Sequence, residues 1–253
     1  MCRFNFILLL MLAACGIQSA WAQKIIEKST NVATGQRVYL DLRQASSIRI
    51  RAGASGKMTL RASVSINQNK LNDALLLTTE QTGEVLKLTS EFDKEMLRQA
   101  QPGDCPNSGA HHGNMYISND QKGKKGDVSD HDGRDNYQVC ALIDYEITVP
   151  ADVALRVNTF SGNIDIVGLT GTIEAKSLSG FVDVTWPPTK GAELSLKTIT
   201  GEVYTDQDIA FSTPRKDNPI VGYQLHGTLS GSGSGPLVKL ESISNDVYFR
   251  KRK

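Results

Sequence analysis

Three of the four histidines, His111, His112 and His131, fall in one polar stretch with Asp120, Asp127, Asp130, Asp132 and Asp135. Imidazole nitrogens and carboxylate oxygens together suit zinc, copper or nickel. The spacing matches no defined site, because adjacent histidines on an extended chain point in different directions. The "DHDG" at Asp130 to Gly133 invites comparison with a calcium loop. No placement of it supplies the carboxylate ladder, with glycine at the sixth place and glutamate at the twelfth. High polarity without periodicity means a solvated loop. We expect no cofactor and no defined metal site, with His111, His112, His131, Asp130 and Asp132 as the metal candidates.

A second chemistry is acid–base catalysis on glycans. Asp165 and Asp183 sit at the same place in successive repeats, and two carboxylates at a suitable separation serve as acid and base in glycosidases. Nothing in the spacing fixes that separation, and flanking apolar residues turn both aspartates towards solvent. The chain has no Gly-x-Ser-x-Gly elbow, no His-Glu-x-x-His and no Walker loop. The fourth histidine, His226, reads as a turn or strand residue, since no partner motif accompanies it. Tyr204, Tyr248 and Trp186 could stack on sugar rings, although aromatics also brace exposed sheet faces. A non-enzymatic module is the preferred reading, and a glycan-active enzyme or a metal-binding envelope protein is the alternative.

The N-terminus places this chemistry outside the cytoplasm. Met1, Cys2 and Arg3 precede the apolar run "FNFILLLMLAA" and the small-residue segment "CGIQSAWAQ", the form of a secretory signal over residues 1–22. That leaves residues 23–253 as a single domain without a membrane-spanning helix. Ala20 and Ala22 offer a cut before Gln23, whereas Leu12 to Cys15 match a lipobox, so a lipoprotein anchored at Cys15 is the competing outcome. Periplasm or cell surface is the expected location. Removal of residues 1–22 takes away one arginine and no acid, leaving 27 basic and 27 acidic side chains from 28 and 27. No electrostatic footprint for nucleic acid remains, and "RKRK" at Arg250 to Lys253 reads as a solvated tail. Cys105 and Cys140 are expected to form a disulfide. The bond would close a loop of about 36 residues, worth roughly 4 kcal/mol in the chain-entropy model.

The elements that must position these groups are strands. Alternating apolar and polar residues mark "RVYLDL", "SIRIRA", "KMTLRASVSI", "EVLKLTSEF" and "DYEITV". Lys70 to Thr79 and Asp93 to Ala100 are short helical candidates. Residues 101–140 form an inserted polar loop, with "EVLKLTSEF" and "DYEITV" expected to pair across it. From residue 158 to 253 a repeat takes over. Gly162, Gly171 and Gly180 recur at nine-residue intervals in "FSGNIDIVGLTGTIEAKSLSGFVDVTW", followed by Gly191 and Gly201. Such repetition implies a solenoid of stacked short strands, two nonapeptides making a coil of about 18 residues. Ile164, Ile166, Ile173, Ala175, Val182, Val184 and Val203 then face inward. Glycine would supply an unusual corner conformation, the Ser or Thr before it would satisfy corner backbone groups, and Asn245 would replace it in the left-handed region. A glycine- and proline-rich loop is expected between Pro214 and Gly235.

On "TGQRVYLDL", "SIRIRA", "DYEITVPADVALRVNTFSGNIDI", "GLTGTIEAKSLSGFVDV" and "GPLVKLESISNDVYFRK", the chain resembles the bacterial putative-adhesin family. The resemblance implies an all-β, solenoid-like (β-helix-like) fold and an envelope location, and supplies no catalytic residues. It agrees with a scaffold or adhesion-type module whose partner is a surface ligand, glycan or protein.

Overall fold

The computed structural model describes residues 23–54, 56–101, 103–105, 114–118, 137–212, 222–230 and 235–252. They form an all-β fold. In chain order the first strands are β1 (Lys24–Asn31), β2 (Arg37–Asp41), β3 (Ser47–Gly53), β4 (Lys57–Ile66), β5 (Leu75–Gln81) and β6 (Val85–Phe92). There follow β7 (Asn114–Ser118), β8 (Tyr137–Pro150), β9 (Ala154–Thr159), β10 (Asn163–Val167), β11 (Ile173–Ser177) and β12 (Val182–Trp186). The last are β13 (Ala192–Thr198), β14 (Val203–Thr205), β15 (Ile209–Phe211), β16 (Tyr223–Leu229), β17 (Leu237–Ser242) and β18 (Val247–Lys251).

Two open nine-stranded sheets result. The first runs β1-β4-β8-β3-β10-β12-β18-β14, with β7 beside β8, and the second runs β15-β16-β13-β17-β11-β9-β2-β6-β5. Both have a parallel centre; the second sheet has antiparallel pairs at both edges, whereas the first is antiparallel at its β1 edge and parallel at its β14 edge. The chain passes from the second sheet to the first at a corner and back at the next, so pairs such as β9/β10 and β11/β12 form coils. Ile164 pairs with Val182 and Ile173 with Leu155, both eighteen residues apart, as the repeat implies. Ile164, Ile166, Ile173, Val182 and Val184 are fully buried between the sheets, and Ala175 nearly so. Val203 is only half-buried against that core.

The order of coils departs from a simple run along the chain. The coil β17/β18 lies between β11/β12 and β13/β14. The early coil β2/β3 likewise lies between β6/β8 and β9/β10. Strands β6 and β8 therefore belong to opposite sheets and do not pair with one another. The insertion joins them in the chain, and it is not all loop, since β7 pairs with β8. Other expectations are also revised. Residues 75–81 are a strand and only Asn72–Ala74 is a 3-10 turn. Helix α1 (Lys94–Leu97) is present, with the Asp93 carboxylate accepting from the Glu95 and Met96 amides. Strand β16 lies where a loop was expected. Arg250 and Lys251 belong to β18 and are not a tail.

The corners carry the most specific chemistry of the fold. At the corners that lead from β9, β11, β13 and β17 into the first sheet, a hydroxyl three residues before the corner glycine, or before Asn245, accepts the corner amide. Gly180 N–H donates to Ser177 Oγ at 2.8 Å, and Gly201 N–H to Thr198 Oγ1 at 3.0 Å. The same hydroxyls donate onward to the neighbouring coil: Ser177 Oγ to Gly162 O, Ser242 Oγ to Gly180 O and Thr198 Oγ1 to Asn245 O, each at 2.9 Å. The hydroxyl immediately before the glycine is also used at two corners, Thr170 Oγ1 donating to the Ala151 carbonyl at 3.3 Å and Thr200 Oγ1 to the Ile243 carbonyl at 3.4 Å. The glycine is not needed for an unusual φ. Neither Gly180, Gly201 nor Asn245 has a positive φ. A Cβ on Gly180 would lie 2.2 Å from Gly162 O, and one on Gly201 2.2 Å from Asn245 O. Glycine is required because the next backbone is already there. Ser177→Ala strips partners from a buried amide and a buried carbonyl, and is expected to cost about 1–3 kcal/mol in denaturant unfolding. Ser179→Ala, at an exposed hydroxyl, is expected to leave stability unchanged, and an equal loss in both would contradict the ladder.

Candidate functional site

Pairing in register turns the outward residues of the first sheet into rows that cross its strands from β1 to β14. In one row Glu27, Arg61, Glu146 and Arg49 stand on β1, β4, β8 and β3. Asp165, Asp183, Tyr248 and Tyr204 continue it on β10, β12, β18 and β14. The next row brings Ser29, Thr59, Thr148 and Arg51 together on the first four of these strands. Seven strand spacings of about 4.8 Å make this face about 34 Å wide.

At its β1 end the two rows line a groove of about 600 Å³, bounded by Glu27, Lys28, Ser29, Arg49, Arg51, Thr59, Arg61, Glu146 and Thr148. Its ion pairs are of two kinds. Arg51 is held tightly, with Nη2 2.5 Å from Asp165 Oδ2 and Nη1 donating to the Ile50 and Asp165 carbonyls. Glu146 lies between Arg49 and Arg61 at 3.6 Å from each, and Arg61 lies 3.8 Å from Glu27. These separations are too long for direct hydrogen bonds, and the groups are half-exposed or more.

The middle of the face holds the two aspartates considered as an acid–base pair. They are in register on adjacent parallel strands, with Glu174 on the opposite sheet, as the repeat implies. Asp183, however, is buried and not solvent-facing. Burial and the Asp165 charge raise its pKa, and the opposing Arg250 does not fully offset them. Arg250 donates to both Asp183 oxygens, through Nε and Nη2. The like charges of the two aspartates are thus separated by guanidiniums from the next row, Arg51 for one and Arg250 for the other.

The β14 end is aromatic. Tyr204 and Tyr248 stack at 5.1 Å with 14° between their planes, and Phe181 meets Tyr248 edge-on at 6.1 Å. Tyr204 is 48% exposed. Tyr248 donates its hydroxyl to Asp246 Oδ2, and that bond raises its pKa. Trp186 does not join them. It is fully buried against Phe249, with Nε1 donating to the Lys190 carbonyl, so it is a core residue.

On the second sheet, Tyr39 lies under Arg156 and Lys87 at 5.2 and 5.8 Å, beside a smaller groove of about 210 Å³. The nearly buried Glu241 receives Lys176 and Lys197 from the strands on either side, at 3.2 and 3.4 Å. His226 is a β16 residue opposite Ser195.

Cys105 and Cys140 are bonded, with a Cα–Cα distance of 5.7 Å. Buried Asn67 braces the bond by accepting from the Cys140 amide and donating to the Gln138 carbonyl. The metal candidates His111, His112, His131, Asp130 and Asp132, with Asp120, Asp127 and Asp135, lie outside the described residues, as do the cleavage and lipobox residues. Among the described residues no three His, Cys, Asp or Glu gather as a metal site. No helix there is long and apolar enough to cross a membrane. The groove was not legible as a site, because its arginines lie on β3 and β4 and read as the polar half of an alternation.

Two solved structures are similar in outline. One is a putative cell adhesion protein from Clostridium sporogenes, with 11% identity, 90% of this chain and 100% of that chain covered, and a TM-score of 0.49. The other is a putative adhesin from Bacteroides fragilis, with 12% identity, 90% and 97% covered, and a TM-score of 0.22. No family model and no curated protein matches the chain.

Glu241 gives a pH signature. Burial pushes its pKa up, but the Lys176 and Lys197 ammoniums outweigh burial and hold it below its ordinary value of 4.5. A depressed carboxylate contributes stability that is present above the unfolded pKa and lost as pH falls through the folded one. Glu241→Gln is therefore expected to lower the thermal midpoint at pH 7, and the difference from wild type is expected to shrink below pH 4. A difference independent of pH would contradict the pairing.

Proposed function

We propose that the protein is a non-enzymatic, exported module of the cell envelope. Its coils stack in the manner of a solenoid, and it presents the outer face of the first sheet to a surface ligand. The observation that carries this reading is the pair of rows across β1 to β14. They hold charged, hydroxyl and aromatic side chains on strands, in register, over a face wide enough for an extended partner. Groups held on a rigid sheet lose little freedom on binding. The signal-like N-terminus and the Cys105–Cys140 bond support export, and the sequence resemblance implies the same location.

The enzyme reading draws on one observation, the raised carboxyl of Asp183 beside Asp165. Against it, Asp183 is buried and Arg250 occupies both its oxygens, so it is poorly placed to pass a proton to a glycosidic oxygen. Affinity electrophoresis through envelope polysaccharides and pull-down from envelope protein fractions, with a reducing-end assay alongside, separates the two. Retention without new reducing ends is expected, and Asp183→Asn should release no more and no fewer ends than wild type. New ends that vanish in Asp183→Asn would establish the enzyme, and no retention by any fraction would overturn the binding reading.

A further inference from the structure

Resting on the reading of this face as a binding surface, we propose that its groove takes the oxyanion groups of an acidic polysaccharide, while Tyr204 and Tyr248 form a stacking platform for a sugar ring farther along. Three guanidiniums line the groove, Arg49, Arg51 and Arg61, against the carboxylates Glu27 and Glu146, while the Lys28 ammonium turns away to the Leu77 carbonyl. Arg51 is committed to Asp165. Arg49 and Arg61 are different, since their contacts with Glu146 are 3.6 Å long and neither guanidinium makes a hydrogen bond among the described residues. A guanidinium has five donors in a planar fork that matches a carboxylate or sulfate. An incoming oxyanion therefore takes donors now turned to water, without breaking a tight bridge. Ser29, Thr59 and Thr148 place hydroxyls in the adjoining row, suited to the hydroxyls of a sugar.

A polysaccharide fits this face better than an acidic peptide does. The groove lies on the face of paired strands, where a ligand meets side chains, whereas a peptide that extended the sheet would add along the β1 edge beside it and leave Arg49 and Arg61 unused. The tyrosine pair offers an exposed flat ring on the same row as Arg49, and ring-on-ring contact is how aromatics hold a sugar's apolar face. Arg49 on β3 and Tyr204 on β14 stand four strand spacings apart, about 19 Å, a separation that takes an oligomer and not a single sugar to span.

The test is affinity electrophoresis of the purified chain in EDTA, through polygalacturonate, the same polymer fully methyl-esterified, and polyglutamate. Polygalacturonate is expected to retard the chain with an affinity at least about tenfold above the ester, and Arg49→Ala with Arg61→Ala to remove that advantage. Tyr204→Ala should weaken both glycan forms, and unchanged retention would overturn the platform. Glu146→Gln removes the carboxylate between the two arginines and should tighten polygalacturonate binding about threefold. A misfolded variant does not produce such a gain, and an unchanged or weaker affinity would count against the groove. Equal retention by acid and ester would overturn the acidic assignment while leaving a binding face. Polyglutamate held as tightly through the same arginines would make the ligand a peptide. Retention by none of these polymers would overturn this proposal, and the wider binding reading would fall only if every envelope fraction also failed.

Discussion

At the corners, backbones of successive coils approach as closely as they do within the strands, and little else in the structure is free to vary once that approach is fixed. A Cβ on Gly180 or Gly201 has nowhere to go, because the next carbonyl stands 2.2 Å from it. At the corners into the first sheet the amide is satisfied by one hydroxyl, from Thr159, Ser177, Ser242 or Thr198, and the last three also donate to a carbonyl of the neighbouring coil. This hydroxyl ladder sets the phase of each coil against its neighbour. With phase set, inward residues form layers of core and outward residues form rows, and the rows make the recognition face. Register is normally specified by burial of one face, and here the corners specify it a second time.

The same constraint accommodates an unusual chain path. Each coil offers the same two edges, so a coil from far along the chain fits between two others as well as a sequential one does. Both β2/β3 and β17/β18 are inserted in this way. The last coil brings Arg250 to Asp183 and Tyr248 to Tyr204, so the middle and the aromatic end of the face exist only once it is in place. Long-range parallel pairing of this kind closes large loops before contacts repay the cost, which is expected to make folding slow.

Much of this is written locally and some of it is not. The strands at Arg37, Ser47, Lys57 and Val85 and the inward set from Ile164 to Val184 follow from alternation alone, and the eighteen-residue step follows from the repeat. The corner was read without the hydroxyl three residues before the glycine and with the wrong reason for glycine. Both errors have one cause: a turn can be reasoned about from its own residues, whereas a close approach depends on the coil above. The coil order was hidden for the same reason. Trp186 was read with Tyr204 and Tyr248 as a ring that could stack on sugars, but its place in the alternation with Val182 and Val184 put it inside. The groove was invisible because Arg49, Arg61 and Glu146 are ordinary outward residues until three distant strands align them.

The face therefore depends on the intercalated order of coils, and a cysteine-pair trap reads that order directly. Glu174 is in register with Lys239, and Lys239 in turn with Ser195. With β17 between β11 and β13, Glu174→Cys and Lys239→Cys lie one strand apart and should oxidise to a disulfide. Glu174→Cys and Ser195→Cys lie two spacings apart, about 9.6 Å, beyond the reach of the bond. Peptide mass mapping after mild oxidation is predicted to find the first cross-link and not the second. The second cross-link without the first would mean that the coils stack in sequence order, and would remove both the Asp183–Arg250 contact and the tyrosine pair on which the face depends.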